Sequence, residues 1–214
     1  RVLFRSLAGM TCNEGSIPNI SPEQPFGNSA PIPALVTTAE TKILAPHGIA
    51  SDLFGFSVAL SDSVLAVGTP YEDSAAPDAG AVYIFVKTNE SWNFEQKLVA
   101  PDFGAGMWFG YSVAVAKDEV VVGAPNADGT SLNSGAVYIF QRMNEVWTAL
   151  PRIAASDGKP GDMCGQAVDL AGDSVLVGCP RSDAKGTEAG AAYVFVKNDA
   201  SYVEQKRILS TDSM

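Results

Sequence analysis

Few residues in this chain of 214 have the type and spacing that catalysis asks for. His47 is its only histidine, and a nucleophile-base relay or a zinc site needs partners that it does not have. Cys12, Cys164 and Cys179 lack the C-x-x-C spacing of a zinc knuckle and are too few for a disulfide scaffold. The stretch GAGMWFG at 104–110 has the glycines of a nucleotide loop, but no helix pattern follows to receive phosphates. A glycosidase needs two carboxylates set apart for the task, and no acidic residue here stands outside a repeating pattern. These residues predict a protein that is not an enzyme.

Acidic positions do recur. Asp73, Asp128 and Asp183 follow one another at a step of 55 residues. On one reading they form a weak cation site with Glu72, Asn126 or Asp78 nearby; on the other, each carboxylate makes an Asx-turn that shapes its loop. Asp169 takes the place of Ala59 and Ala114 in an apolar stretch. A bare buried carboxylate is costly, so Asp169 is expected to face water in a central channel or to be paired. His47 falls in a series with Asp102, Asp157 and Asp212, an ordinary place in the loop between copies.

The elements that position these residues share the same step. It relates Gly55, Gly110 and Gly165; Gly68, Gly123 and Gly178; and Gly80, Gly135 and Gly190. Pro70, Pro125 and Pro180 keep it, as do Tyr83, Tyr138 and Tyr193; Phe85, Phe140 and Phe195; and Trp92, Trp147 and Tyr202. Equal spacing without insertion means equivalent places in a repeating architecture, since one irregular core would give the copies different neighbours and loop lengths. Within a copy the β-branched and aromatic content predicts four strands, in the second copy YSVAVA, VVVGAP, GAVYIFQR and VWTALPRIAA. Tight turns at Ser61-Asp62-Ser63, Lys117-Asp118-Glu119 and Gly172-Asp173-Ser174 join the first pair, and stretches such as Thr88-Asn89-Glu90 join the last. The second and third strands, VLAVG and AVYIF in the first copy, are apolar on both sides, so both faces need a covering layer. An all-β propeller of four-stranded antiparallel blades supplies it, because each blade packs between two others. The more polar SWNFEQKLVA reads as an outer edge.

Phe54-Gly55 and Phe109-Gly110, followed by Gly68-Thr69-Pro70 and Gly123-Ala124-Pro125, with Gly165, Gly178 and Pro180 in the third copy, resemble the FG-GAP repeat of integrin α-chain propellers and related secreted proteins. The resemblance implies three consecutive blades of a seven-bladed propeller. Copies span 41–95, 96–150 and 151–205, residues 206–214 open a truncated fourth, and 1–40 form a Pro/Ser-rich arm whose Phe26-Gly27 is out of register. The chain thus reads as a fragment, with the remaining blades in a full-length chain. The family's roles, adhesion and ligand binding, imply an extracellular or cell-surface recognition module. Related repeats often hold calcium in a DxDxDGxxD loop between the first two strands. Turns of about three residues cannot wrap a cation that takes six to eight oxygens. The chain therefore resembles a calcium-free branch, and no cofactor is expected.

In the third copy Cys164 stands in the Phe place and Cys179 in the Ala place. A hairpin turning at Gly172-Asp173 brings them near each other, as a disulfide or as two small buried apolar residues. A formal charge of −10 and a pI near 4.5 argue against nucleic acid and anionic lipid as partners, since both need a basic patch. No run of about 18 apolar residues exists to span a membrane.

Blade topology puts the two short connections on one face and the two long ones on the other. The long ones differ between copies: YEDSAAPDA, NADGTSLNS and RSDAKGTEA, then HGIASDL, DFGAGMW and SDGKPGDM. Variable loops on a rigid scaffold are where binding usually resides. Asp73, Asp128, Asp183, Met107 and Trp108 are therefore the candidate ligand-binding residues, for a protein or glycan partner; packing between blades is the competing role for Trp108. Sequons at Asn19 and Asn89 permit glycosylation in a secreted protein, Asn89 on the short-turn face. The alternatives are a non-catalytic accessory region of a larger secreted enzyme and a structural spacer.

Overall fold

Valine, isoleucine, tyrosine and phenylalanine crowd the periodic segments, and such side chains pack well on a pleated, buried surface. The computed structural model describes residues 42–89 and 91–210; Cys12, Asn19, Phe26-Gly27, the rest of the 1–40 arm and Asp212 lie outside the described residues. Within them run β1 (Ser57–Leu60), β2 (Val64–Thr69), β3 (Ala81–Thr88), β4 (Ser91–Leu98), β5 (Ser112–Ala116), β6 (Glu119–Ala124), β7 (Ala136–Met143), β8 (Val146–Ala149), β9 (Ala167–Ala171), β10 (Ser174–Cys179), β11 (Ala191–Asn198) and β12 (Ser201–Leu209). No helix occurs among the described residues. The strands form three antiparallel sheets of four, ordered β1-β2-β3-β4, β5-β6-β7-β8 and β9-β10-β11-β12.

Register repeats with the sequence. Ser57 pairs with Gly68, Ser112 with Gly123, and Ala167 with Gly178. The fourth strands are less regular. β3–β4 and β11–β12 each shift register once, at Ile84/Phe85 and Val194/Phe195. In the second blade β8 ends at Ala149, and Pro151, which has no N–H for a ladder, lies between it and an isolated bridge from Ile153 to Val137. β4 reaches Leu98 and β12 reaches Leu209, so residues 206–209 complete the third blade instead of opening a fourth. The repeat borders at 95 and 205 thus fall inside strands.

Two apolar junctions hold the blades together. Val64, Ala66, Val82 and Ile84 of the first blade share a core with Val120, Val122, Tyr138 and Phe140 of the second. Val121, Val137 and Ile139, on the opposite face of the second blade, pack with Val175, Val177, Tyr193 and Phe195 of the third. β6 and β7 are therefore buried on both faces, as their unbroken apolar runs require.

Near the inner strands the Ser57 hydroxyl donates to the Gly110 carbonyl at 2.7 Å, and the Ser112 hydroxyl donates to the Gly165 carbonyl at 2.7 Å. A Cβ at Gly68 or Gly123 would overlap those same carbonyls. Glycine persists in mid-strand there because the next blade's backbone occupies the space of a side chain.

At the outer edge, Glu95 accepts hydrogen bonds from Arg142 Nε at 2.9 Å and Trp147 Nε1 at 2.7 Å. Burial alone pushes the Glu95 carboxyl up, but these bonds outweigh it and hold the group below its ordinary value. In the second junction Glu119 accepts from the Tyr202 hydroxyl at 3.0 Å and from Lys197.

Candidate functional site

The meander of each blade puts the β2–β3, β4–β5, β6–β7, β8–β9 and β10–β11 connections at one end. Each incoming loop is laced to the outgoing loop of the blade before it. Gly106 N–H donates to Pro77 O at 2.8 Å, Trp108 N–H to Asp78 O at 3.2 Å and Phe109 N–H to Ala79 O at 2.9 Å. One step later Gly161 N–H donates to Leu132 O at 3.2 Å and Cys164 N–H to Ser134 O at 2.9 Å. The long loops are thus continuous with the scaffold.

Asp73, Asp128 and Asp183 hold these loops from within. Their Oδ1 atoms accept from Asp78 N–H at 2.8 Å, Asn133 N–H at 2.9 Å and Glu188 N–H at 2.7 Å. Each donor residue is left-handed, with φ of 51°, 50° and 50° respectively, so the carboxylate fixes a conformation that costs energy for a residue with a Cβ. All three aspartates are exposed. Loop shaping is the role visible in their contacts. Asp169 is exposed on β9, its Oδ1 accepting from Leu170 N–H at 2.9 Å.

A second recurring network lies beneath the loops. Tyr138 donates its hydroxyl to Asp102 Oδ1 at 2.8 Å, and Arg152 Nε sits 3.3 Å from Asp102 Oδ2. Tyr193 donates to Asp157 Oδ1 at 2.7 Å, and Arg207 pairs with the same carboxylate. In the first blade the aspartate's place holds His47, and among the described residues the buried Tyr83 hydroxyl has no hydrogen-bond partner. Burial, followed by the nearby Glu72 and Asp52 carboxylates, pushes the Tyr83 phenol up to about 12. Lys97, at the arginine position, turns instead to Glu72 at 2.8 Å. Burial opposes the charge on Glu72, but hydrogen bonds from Lys97 and Ser74 prevail and lower its pKa.

Arg152 also donates through Nη1 to Asp128 O at 2.8 Å, and with Asp102, Asn126, Asp128 and Asn133 it lines a polar cleft of about 370 Å³. Met107 borders this cleft but is itself buried in the first junction. Among the described residues no three His, Cys, Asp or Glu side chains gather in a way that could hold a metal ion.

Trp108 belongs to a cluster that single-position reading missed. Its ring stacks on Tyr111 at 6.0 Å with an 18° interplanar angle and lies 5.7 Å from Tyr71. Phe56 lies 4.9 Å from Tyr111 and 6.4 Å from Tyr71. Phe56 is exposed and the other three are half-buried, so the four rings form a surface patch across the first junction at the long-loop end. A signal did exist in the repeat. The three copies read Phe56, Tyr111, Gln166 and Tyr71, Asn126, Arg181, so these places lose their aromatic character by the third copy. Asn89, by contrast, is exposed at the β3–β4 turn, at the opposite end.

Cys164 and Cys179 are joined by a disulfide, which decides between the two sequence readings. It replaces the ring packing that Phe109 makes with Tyr138 at 5.4 Å and Phe140 at 6.0 Å in the second blade.

Three stacked four-stranded meanders, with Gly68 and Gly123 set against the Gly110 and Gly165 backbone of the following blade, define a β-propeller-like module. The family model described as FG-GAP repeat matches residues 37–85, 92–140 and 147–195, and the chain belongs to that family. Each of the last two matches takes the fourth strand of one blade together with the first three of the next, so a sequence repeat straddles a junction. The comparison with curated proteins finds no match to the chain. No helix among the described residues is long and apolar enough to cross a membrane.

Proposed function

We propose that the chain is a non-catalytic extracellular recognition module, an adhesion-type domain that binds a protein or glycan partner through its long-loop face. The observation that carries this reading is the half-exposed patch of Phe56, Tyr71, Trp108 and Tyr111. Four aromatic rings in mutual contact and open to solvent supply contact area at little conformational cost, which is the composition of binding hot spots. The exposed aspartates of the neighbouring loops favour a partner with basic or hydroxyl groups. A disulfide in so regular a scaffold supports an oxidising compartment. The reading invokes no metal.

The test compares two sets of variants in a binding screen of the folded chain against secreted proteins and immobilised glycans. Trp108→Ala and Phe56→Ser should remove at least about 90% of binding, since truncating an aromatic anchor costs about 2 kcal/mol. Substitutions at Asp62, Asp118 and Asn89, on the short-turn face, should leave it unchanged. The reverse pattern overturns the assignment of the face.

A further inference from the structure

The second copy departs from the other two at its polar cleft. Asn126 stands there in the place of Tyr71 and Arg181, and Asn133 in the place of Asp78 and Glu188. The scaffold does not select asparagine at either position. Asn133 is left-handed with φ of 50°, yet Asp78 at 51° and Glu188 at 50° adopt the same conformation. In the third blade the equivalent side chains pair with each other, Arg181 Nε lying 3.9 Å from Glu188 Oε1. In the second, neither asparagine's side-chain amide is bonded to another described residue, and both line the cleft.

The remaining polar walls are held in place. Tyr138 and Arg152 engage the two oxygens of Asp102, Asn133 N–H holds Asp128 Oδ1, and Arg152 is tied to the Asp128 carbonyl. Planar carboxylate, amide and guanidinium groups thus stand in set positions around about 370 Å³, within the roughly 300–1,000 Å³ of small-molecule clefts. Such a lining suits a ligand dense in hydroxyls, because each free amide offers both donors and an acceptor. The aromatic patch adjoins it. Trp108 follows Met107, which borders the cleft, and Asn126 stands one step of the repeat after Tyr71, whose ring lies 5.7 Å from that of Trp108. The negative face of a half-open ring attracts polarised C–H groups such as those on the apolar side of a pyranose. A sugar has both an apolar face and a rim of hydroxyls, so it uses platform and cleft together; a protein anchored on the rings would leave the amides unpaired.

The geometry points to a carbohydrate site in which a neutral oligosaccharide stacks one pyranose on Tyr71, Trp108 and Tyr111 and sets the hydroxyls of the next among Asn126, Asp128, Asn133 and Arg152. This rests on the long-loop recognition reading above and narrows its partner from protein or glycan to neutral glycan. Charge selects against acidic sugars. Asp73, Asp78, Asp102 and Asp128 are exposed around the site and the chain carries −10, so a sialylated or sulfated ligand is repelled. Arg152 does not reverse this, since Asp102 already pairs with it.

The full 214-residue chain, applied to a dense array of immobilised neutral oligosaccharides beside their sialylated and sulfated counterparts, tests the inference. Dense display brings weak affinities within reach. The chain should bind neutral glycans and lose signal where acidic groups are added. Calorimetric titration with the neutral oligosaccharide that binds best should then show Trp108→Ala weaker by about 30-fold. Asn126→Arg and Asn133→Glu should each weaken binding by about 5–10-fold through loss of a hydrogen bond. Their melting temperatures should match wild type, because the third blade bears those same residues. No signal on any neutral glycan overturns the inference. If secreted proteins still bind and Trp108→Ala abolishes that binding, the long-loop reading survives with a protein as partner; if nothing binds, both readings fail. Stronger binding to sialylated or sulfated glycans, or glycan binding indifferent to either asparagine variant, also overturns the inference.

Discussion

Replacing Tyr83, Tyr138 and Tyr193 one at a time by phenylalanine removes the same hydroxyl from three equivalent places, and the consequences should differ in sign. At 138 and 193 the hydroxyl donates to a carboxylate, at 2.8 and 2.7 Å. A hydrogen bond to a charged group is worth about 1.5–3 kcal/mol when buried. Asp102 and Asp157 are 46% and 43% exposed, so water competes for them and about 1 kcal/mol is the expected loss at each site. At 83 the buried hydroxyl has no partner among the described residues, and His47 stands where the other copies have aspartate. Deleting it removes a desolvation cost and should raise stability by about 1 kcal/mol. For a domain of this size 1 kcal/mol corresponds to roughly 2–4 °C in melting temperature. Calorimetry of the three variants beside wild type should therefore show Tyr138→Phe and Tyr193→Phe below it and Tyr83→Phe above it. Three equal losses would refute the reasoning, because they would mean that the Tyr83 hydroxyl is bonded as the other two are; no change at any site would refute it too, because it would mean that the tyrosines act through packing alone.

Three other outcomes are expected. Cys164→Ala with Cys179→Ala releases a crosslink of sequence separation 15 and should lower the unfolding free energy by about 3 kcal/mol in a urea titration. Intact mass before and after reduction should differ by two hydrogens. Gly123→Ala drives a methyl into the Gly165 carbonyl and should cost about 3 kcal/mol or prevent folding, unlike the mild Gly178→Ala change. The pH dependence follows from Glu72 and Glu95, whose folded pKa values lie below the ordinary 4.5. A depressed carboxylate contributes stability that is present above the unfolded pKa and lost as pH falls through the folded one. Urea midpoints should thus fall from about pH 5 to about pH 3, and Glu95→Gln should make that fall shallower.

Much of the architecture could be read from the spacing of Gly68, Gly123 and Gly178, because the backbone-on-backbone approach at Gly68 and Gly123 leaves no room for a side chain and the third copy keeps the same step. The doubly apolar strands at Val64–Gly68 and Ala81–Phe85 likewise implied a layer on each side. Pro151 interrupts the fourth strand of the second blade locally, and the step of the repeat does not register such a change. The contacts made by Asp73, Asp128 and Asp183 were less legible, since an exposed aspartate after a Gly-x-Pro turn is equally suited to bind a cation or to hold its own loop. Bonding of Cys164 to Cys179 depended on side-chain direction, which residue spacing leaves open. The aromatic patch was hidden for another reason. Phe56 and Tyr71 belong to one blade, Trp108 and Tyr111 to the next, and only the stacking of blades puts the four rings together. The tyrosine–aspartate pairs, 36 residues apart, were obscured in the same way.

Amide hydrogen exchange on dilute, monomeric chain tests most directly the claim that equivalent blades are stabilised by burying both faces against their neighbours. β6 and β7, covered on both sides, should exchange slowest. β10 and β11 have equivalent pairing but one open face, and they should exchange measurably faster, most of all at Leu176, Ala192 and Val194. Equal protection of the two blades, or greater protection of the third, would contradict the account.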